Sequence, residues 1–146
     1  MKKINLLVQS LLDKYHFNDP FKICNELDIN CFFVKIPLKT NGVYYKVLNQ
    51  QVILINKDLP EKKAKVTAAH ELGHALLHPD MNYMFMTKKR GSETNSFEYQ
   101  ADYFAACLLL SEICQQPDFS EMSCENISFV TGLNVQSVDF WRNQQL

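Results

Sequence analysis

The sequence predicts an α+β fold: a small, three-stranded, mainly antiparallel sheet packed on two long helices, with short helices at the N- and C-terminal ends. Three observations lead there. Runs of β-branched and aromatic residues bounded by turn residues are confined to 29–56. Apolar residues recur at helical spacing through 4–15 and again through 96–110. Between them, an N-cap pattern at Asp58 and the chain-breaking Pro79 bracket a further helix. At 146 residues the chain suits a single domain with a real core. Its expected organisation is N-terminal helices over 1–28, the sheet over 29–56, the two long helices over 57–111 and a small helical tail over 112–146.

Taken in order, Ile4, Leu7, Val8, Leu11, Leu12 and Tyr15 make the apolar stripe of an amphipathic surface helix. Gln9, Ser10 and Asp13 interrupt that run, so it does not read as a secretory signal. No stretch approaches the length needed to span a membrane, and a cytoplasmic location is the expectation. Asp19 is placed as the N-cap, with Pro20 at the first position, of a short helix through Leu27. "INCFFVKI" (29–36) reads as a strand and "KTNG" as a turn, and "VYYKV" (43–47) and "QVILIN" (51–56) form a hairpin around "LNQ". Asp58, with Glu61 three positions later, makes a capping box for a helix that runs to about His78. Segment 79–94 is a long connection whose basic tip, Lys88-Lys89-Arg90, reads as a solvated loop. The second long helix, about 96–110, places Phe97, Ala101, Phe104, Ala105, Leu108 and Leu109 on one face. The tail suggests two short helices joined near Gly132.

Composition narrows the function. Hydrophobic residues make up 47% and charged residues 21%, an ordinary globular balance. The formal net charge of −1 lacks the basic excess of a protein that grips nucleic-acid phosphates, so direct nucleic-acid binding is not expected. Cys24, Cys31, Cys107, Cys114 and Cys124 are odd in number, irregularly spaced and without a C-x-x-C pair. They read as reduced, mostly buried thiols.

The chemistry concentrates in "AAHELGHALLH" (68–78). On a helix, residues four apart share a face with Cβ atoms about 5–6 Å apart, so His70 and His74 can converge on one metal ion. Glu71, next in sequence, can reach a water at the open coordination position without being a ligand. Chance is a weak competitor: with 4 histidines and 8 glutamates in 146 positions, random placement gives roughly 0.006 occurrences of the pattern. A third ligand is needed, because catalytic zinc takes three protein ligands and keeps one place open. His78 lies about 12 Å along the axis from His70, too far to share an ion; it reads as a helix-end histidine favoured by the dipole. His16 is remote in sequence. Asp80, six residues after His74, ranks second, because Leu77 stands where a turning glycine would be wanted. Glu98 ranks first: it precedes Asp102 by four, so one carboxylate can bind metal while the other accepts a hydrogen bond from a ligand histidine. Against this stand the plain readings of Glu98 as a capping partner of Asn95 and of Asp102 as a solvated carboxylate.

With "HELGHALLH" followed by "EYQADYFAACLLL", the sequence resembles the ImmA/IrrE family of bacterial and phage metallopeptidases. "DPFKICNELDI", the "VILIN" strand and "LPEKKAKVTAAHELGHALLH" extend the likeness over most of the chain; the two long helices are its specific parts. The resemblance implies one zinc-metallopeptidase-like domain over 1–146. It implies Zn2+ held by His70, His74 and Glu98, with Glu71 as the catalytic glutamate. Asp102 stands where the family commonly has Asn, and Leu110-Ser111 where it often has Met-Pro. The first change is compatible with a bond to a ligand histidine, and the second bears on where the helix ends. The resemblance also implies a protein substrate, a helix-turn-helix repressor whose cleavage releases phage or mobile-element genes.

In the expected mechanism the metal acidifies a water and polarises the scissile carbonyl, while Glu71 removes the water proton and passes it to the leaving amine. An oxyanion donor stays unassigned, since Tyr44, Tyr45 and Tyr103 read better as packing residues. A sheet edge beside the site is expected to take substrate as an added strand. Two rival readings remain. One is a non-catalytic, zinc-containing anti-repressor that binds and sequesters its target. The other is a DNA-binding module over 127–143, disfavoured because Glu121, Glu125 and Asp139 against Arg142 leave a net −2 from 121 to 146.

Overall fold

The computed structural model describes residues 1–37, 39–81 and 92–145, with 92–94 as backbone only. The expected basic tip at Lys88–Arg90 lies outside the described residues. Helix α1 (Lys2–Tyr15) buries Ile4, Val8 and Leu11. Helix α2 (Pro20–Glu26) starts as its sequence dictates: the Asp19 carboxylate accepts from the Phe21 N–H at 2.9 Å and the Lys22 N–H at 3.4 Å. Such a cap contributes about 1 kcal/mol.

Strands β1 (Asn30–Val34), β2 (Gly42–Val47) and β3 (Gln50–Asn56) form one sheet in the order β1-β3-β2. The β2–β3 hairpin closes through Leu48 and Asn49, both at positive φ (48° and 63°), as a tight two-residue turn requires. β1 runs parallel to β3. The expected α+β fold with a small three-stranded sheet is what forms, and the sheet is mixed rather than purely antiparallel. The loop after β1 carries the chain past β3 to the far edge, so the hairpin places its second strand, not its first, beside β1. Apolar alternation within a strand says nothing about the direction of its neighbour. The central strand takes the most apolar sequence, and its Ile53 and Ile55 are fully buried.

Helix α3 (Glu61–Leu77) lies between this sheet and α4 (Ser92–Leu110), which in turn packs on α1 and the C-terminal helix. Asp58 does not cap α3. Pro60 holds the N-cap position with no side-chain bond, while the Asp58 N–H goes to Asn56 Oδ1 at 3.1 Å. The physical reason is Pro60 itself, whose ring disfavours helical geometry at Leu59 and so bars an earlier start. α4 begins four residues before the expected 96, which makes Asn95 a helix-interior residue and removes the capping reading of Glu98.

Two 3₁₀ turns (Ile113–Gln115 and Phe119–Glu121) precede α5 (Cys124–Thr131) and α6 (Val135–Gln144). These two helices join at Gly132, as the sequence indicates. Gly132 sits at φ 81°, and a Cβ there would lie 3.0 Å from Lys62 Cβ, so glycine is required twice over. Lys62 Nζ donates to the Phe129 carbonyl at 2.9 Å, which fastens this tail to the first turn of α3. All five cysteines are free, but only Cys24 and Cys107 are buried; the other three are half-buried. Among the described residues no helix is long and apolar enough to cross a membrane.

Candidate metal centre

The centre is built where α3 packs on α4. Ala68, Ala69 and Ala75 are buried with Leu72 on α3, and the small alanines let neighbouring backbone come near. At Gly73 the approach is closest: a Cβ there would stand 3.1 Å from Ala101 Cα and 3.2 Å from Phe104 Cδ1. Ala101 lies between Glu98 and Asp102 on α4, so this contact sets the height at which both carboxylates meet the histidines.

The result is a triangle. His70 Nε2 is 3.1 Å from His74 Nε2 and 3.2 Å from Glu98 Oε2, and His74 Nε2 is 3.3 Å from Glu98 Oε1. Tetrahedral zinc with bonds near 2.0–2.1 Å separates its ligand atoms by about 3.3 Å, so the residues present fit such an ion. Among the described residues these three are the group with metal-holding geometry. Asp102 Oδ1 lies 2.7 Å from His70 Nδ1. That bond directs the other ring nitrogen, Nε2, into the triangle.

Charge follows geometry. Burial alone would depress the His70 pKa, but its hydrogen bonds with Asp102 and Glu98, and the nearby Glu71 charge, overcome this and push it up to about 10. Hydrogen bonds from His70 and His74 hold Glu98 well below the usual carboxylate range. Without metal, then, a proton on His70 occupies a place built for positive charge. Glu71 is buried beside the triangle, against β2. Burial raises its pKa, while the charges of His70 and His74 and a backbone hydrogen bond from Tyr44 act the other way. Glu98 and Asp102 keep 45% of their side-chain exposure against 9% for His74, so the centre opens on its carboxylate side.

The other candidates are elsewhere. Asp80 is exposed and pairs with Lys46 at 3.0 Å. His16 is the left-handed C-cap of α1 and lines a separate cavity of about 540 Å³, which holds none of the triangle. His78 is buried with its ring 4.4 Å from Phe97, and burial lowers its pKa, so the reading of a charged helix-end histidine gives way to a neutral packed one. The Tyr44 hydroxyl donates to the Pro79 carbonyl at 2.6 Å and accepts from Gln51 at 2.9 Å. Tyr103 is buried and accepts from Gln145 at 3.4 Å. Both tyrosines are packing residues, as expected. Sequence reasoning passed over Gly73 and Gly42. Gly73 sits inside "HELGH", where a glycine in a helix interior costs stability and so signals close packing.

Fold and site together define a class: a metallopeptidase-type domain with H-E-x-x-H on one helix and a facing glutamate on the next. The chain belongs to the peptidase family described as the IrrE N-terminal-like domain, whose model matches residues 24–120, about two-thirds of the chain. It is similar to "Uncharacterized immunity region protein 2" of Bacillus phage phi105, 29% identical over 131 residues that cover 89% of this chain and 83% of that protein. It is also similar to "Metallopeptidase ImmA" of Bacillus subtilis (strain 168), 27% identical over 145 residues covering 97% of this chain and 79% of that protein.

Proposed function

We propose that residues 1–146 act as one zinc-dependent endopeptidase unit that cleaves a helix-turn-helix repressor in the cytoplasm and so derepresses phage or mobile-element genes. His70, His74 and Glu98 are the metal ligands, Asp102 orients His70, and Glu71 is the catalytic base. The observation that carries this reading is the 3.1–3.3 Å ligand triangle with a buried glutamate beside it. Two imidazoles and a carboxylate suit zinc. The immunity-region name of the phage relative supports the phage setting.

A zinc ion bound there supplies Lewis acidity, polarising the scissile carbonyl and lowering the pKa of a water towards ~7. Glu71, its carboxylate made more basic by burial, takes the water proton on a side-chain oxygen and later hands it to the leaving amine. Asp102 holds the proton on His70 Nδ1 and keeps Nε2 free to ligate. β2 is an edge strand, and its Gly42 lies against Glu71, so a substrate segment can add to it in extended form beside the base.

One observation favours the second reading, sequestration without cleavage: the hydroxyls of Tyr44 and Tyr103 are engaged away from the centre, so neither is placed to serve an oxyanion. Metal content per chain after chelator-free purification tests the centre, with about one zinc expected; none after zinc add-back would sink both readings. Glu71→Gln then separates them. It should retain the metal and abolish cleavage of a co-expressed repressor, whereas undiminished derepression would favour sequestration.

A further inference from the structure

Beside the metal centre a cavity of about 270 Å³ opens between the edge strand β2, the first half of α3 and the N-cap of α6. Gly42 keeps it open. A Cβ there would lie 2.5 Å from the Thr67 methyl and 3.3 Å from Glu71 Cγ, so any side chain on that strand would close the wall beside the base. The opposite wall is Asn134, held in place by the α5–α6 junction that Lys62 and Gly132 fasten to α3.

The polar groups that line the cavity divide unevenly. Its carboxylates are engaged: Asp102 Oδ1 with His70 Nδ1 at 2.7 Å, and buried Glu71 with the Tyr44 backbone. Its donors are not. Lys63 is the one lysine or arginine on the cavity and makes no ion pair among the described residues. Asn134 commits its Oδ1 to the Ser137 N–H at 2.7 Å, so its NH₂ group is left for another acceptor. Two open donors, Lys63 and the Asn134 NH₂, beside engaged carboxylates suit a ligand that brings acceptors of its own. We propose that this cavity receives one substrate side chain flanking the scissile bond, and that Lys63, assisted by the Asn134 NH₂, selects an aspartate or glutamate there. The assignment rests on the peptidase reading for its substrate, but not on turnover for its chemistry.

Binding and cleavage are therefore measured apart. Zinc-loaded Glu71→Gln protein is immobilised and challenged with a random, end-blocked hexapeptide library, and the bound peptides are sequenced. Acidic residues should be enriched at one position. Lys63→Glu in the same background, an exposed change compatible with the first helical turn, should cut that enrichment about five-fold and bring Lys or Arg to the same position. The same reversal at Lys22, outside the cavity, should change nothing. No acidic preference, or one untouched by Lys63→Glu, overturns the inference. The wild-type protein, given the same library, tests the peptidase reading alone: acidic selection in binding without chelator-sensitive cleavage would refute turnover and leave the pocket standing.

Discussion

Helix α3 and its C-cap carry three histidines four residues apart, and the first two meet surroundings opposite to those of the third. His70 and His74 face Glu98 and Asp102, and the His70 pKa rises to about 10. One turn further on, His78 meets Phe97, its Nε2 is buried without a partner among the described residues, and its pKa falls. Phe97 and Glu98 are neighbours in sequence on α4, so a single step along that helix separates a ligand environment from a packing one. The lesson is that a histidine's competence here comes from what the second helix presents to it, and not from its own spacing.

The strongest way to break that comparison is to exchange the roles. His74→Ala removes a corner of the triangle and should drop bound metal from about one per chain to near zero. His78→Ala should leave the metal in place, and elemental analysis of the two variants side by side reads the difference. Metal loss in both would mean that the two ends of α3 are not distinct.

Removing the carboxylate that orients His70 should have a smaller effect. Asp102→Asn is expected to weaken metal affinity 10–100-fold. Its pH dependence sharpens the point. Metal and proton compete for His70 Nε2, and the raised pKa means that the metal-free site holds that proton over most of the ordinary range. Wild-type affinity should therefore climb by about tenfold per pH unit as pH rises towards about 10. The sign for stability is opposite. A raised histidine pKa stabilises the metal-free fold fully below the unfolded value near 6.5, and this contribution is lost as pH rises through about 10. Chelator-treated protein should thus lose stability over the interval in which metal binding strengthens. Asp102→Asn should flatten both trends, and competition titrations with a fluorescent chelator from pH 6 to 9 would show it.

Next in size is the contact that sets the height of the carboxylates. Gly73→Ala forces a methyl against Ala101 and Phe104 and should cost about 1–3 kcal/mol in urea unfolding. Metal affinity should fall with it, because α4 must withdraw. Stability lost with unchanged affinity would show that the triangle tolerates the shift.

These effects also mark what was legible beforehand. His70 and His74 were readable because four-residue spacing on a helix is a local rule. Glu98 and Asp102 were readable for the same reason, although their meeting with α3 was not. That meeting depends on Gly73 and Ala101, which carry no chemistry of their own. The parallel pairing of β1 with β3 was not legible, because strand pairing is a long-range choice that alternation does not encode. The Asp58 cap failed on a conflict between two local rules, in which Pro60 prevailed over the capping box. Asn134 belongs to the cavity only through the tail's docking on Lys62, some seventy residues away in sequence.

The mildest test falls on the far end of α3. His78 Nε2 is buried with no hydrogen-bond partner among the described residues, and such a group costs about 1–3 kcal/mol when left unmet. His78→Phe removes that penalty and keeps an aromatic ring against Phe97, but it adds volume in a packed place. The two effects oppose each other, so the net change in unfolding free energy should stay within about 1 kcal/mol, with metal content unaltered. Denaturant midpoints measured with excess chelator isolate the packing contribution from any contribution of the ion. A loss well beyond that range, or loss of the metal, would mean that His78 supports the centre through His74, whose ring lies 5.8 Å away, and the two ends of α3 would then be one site.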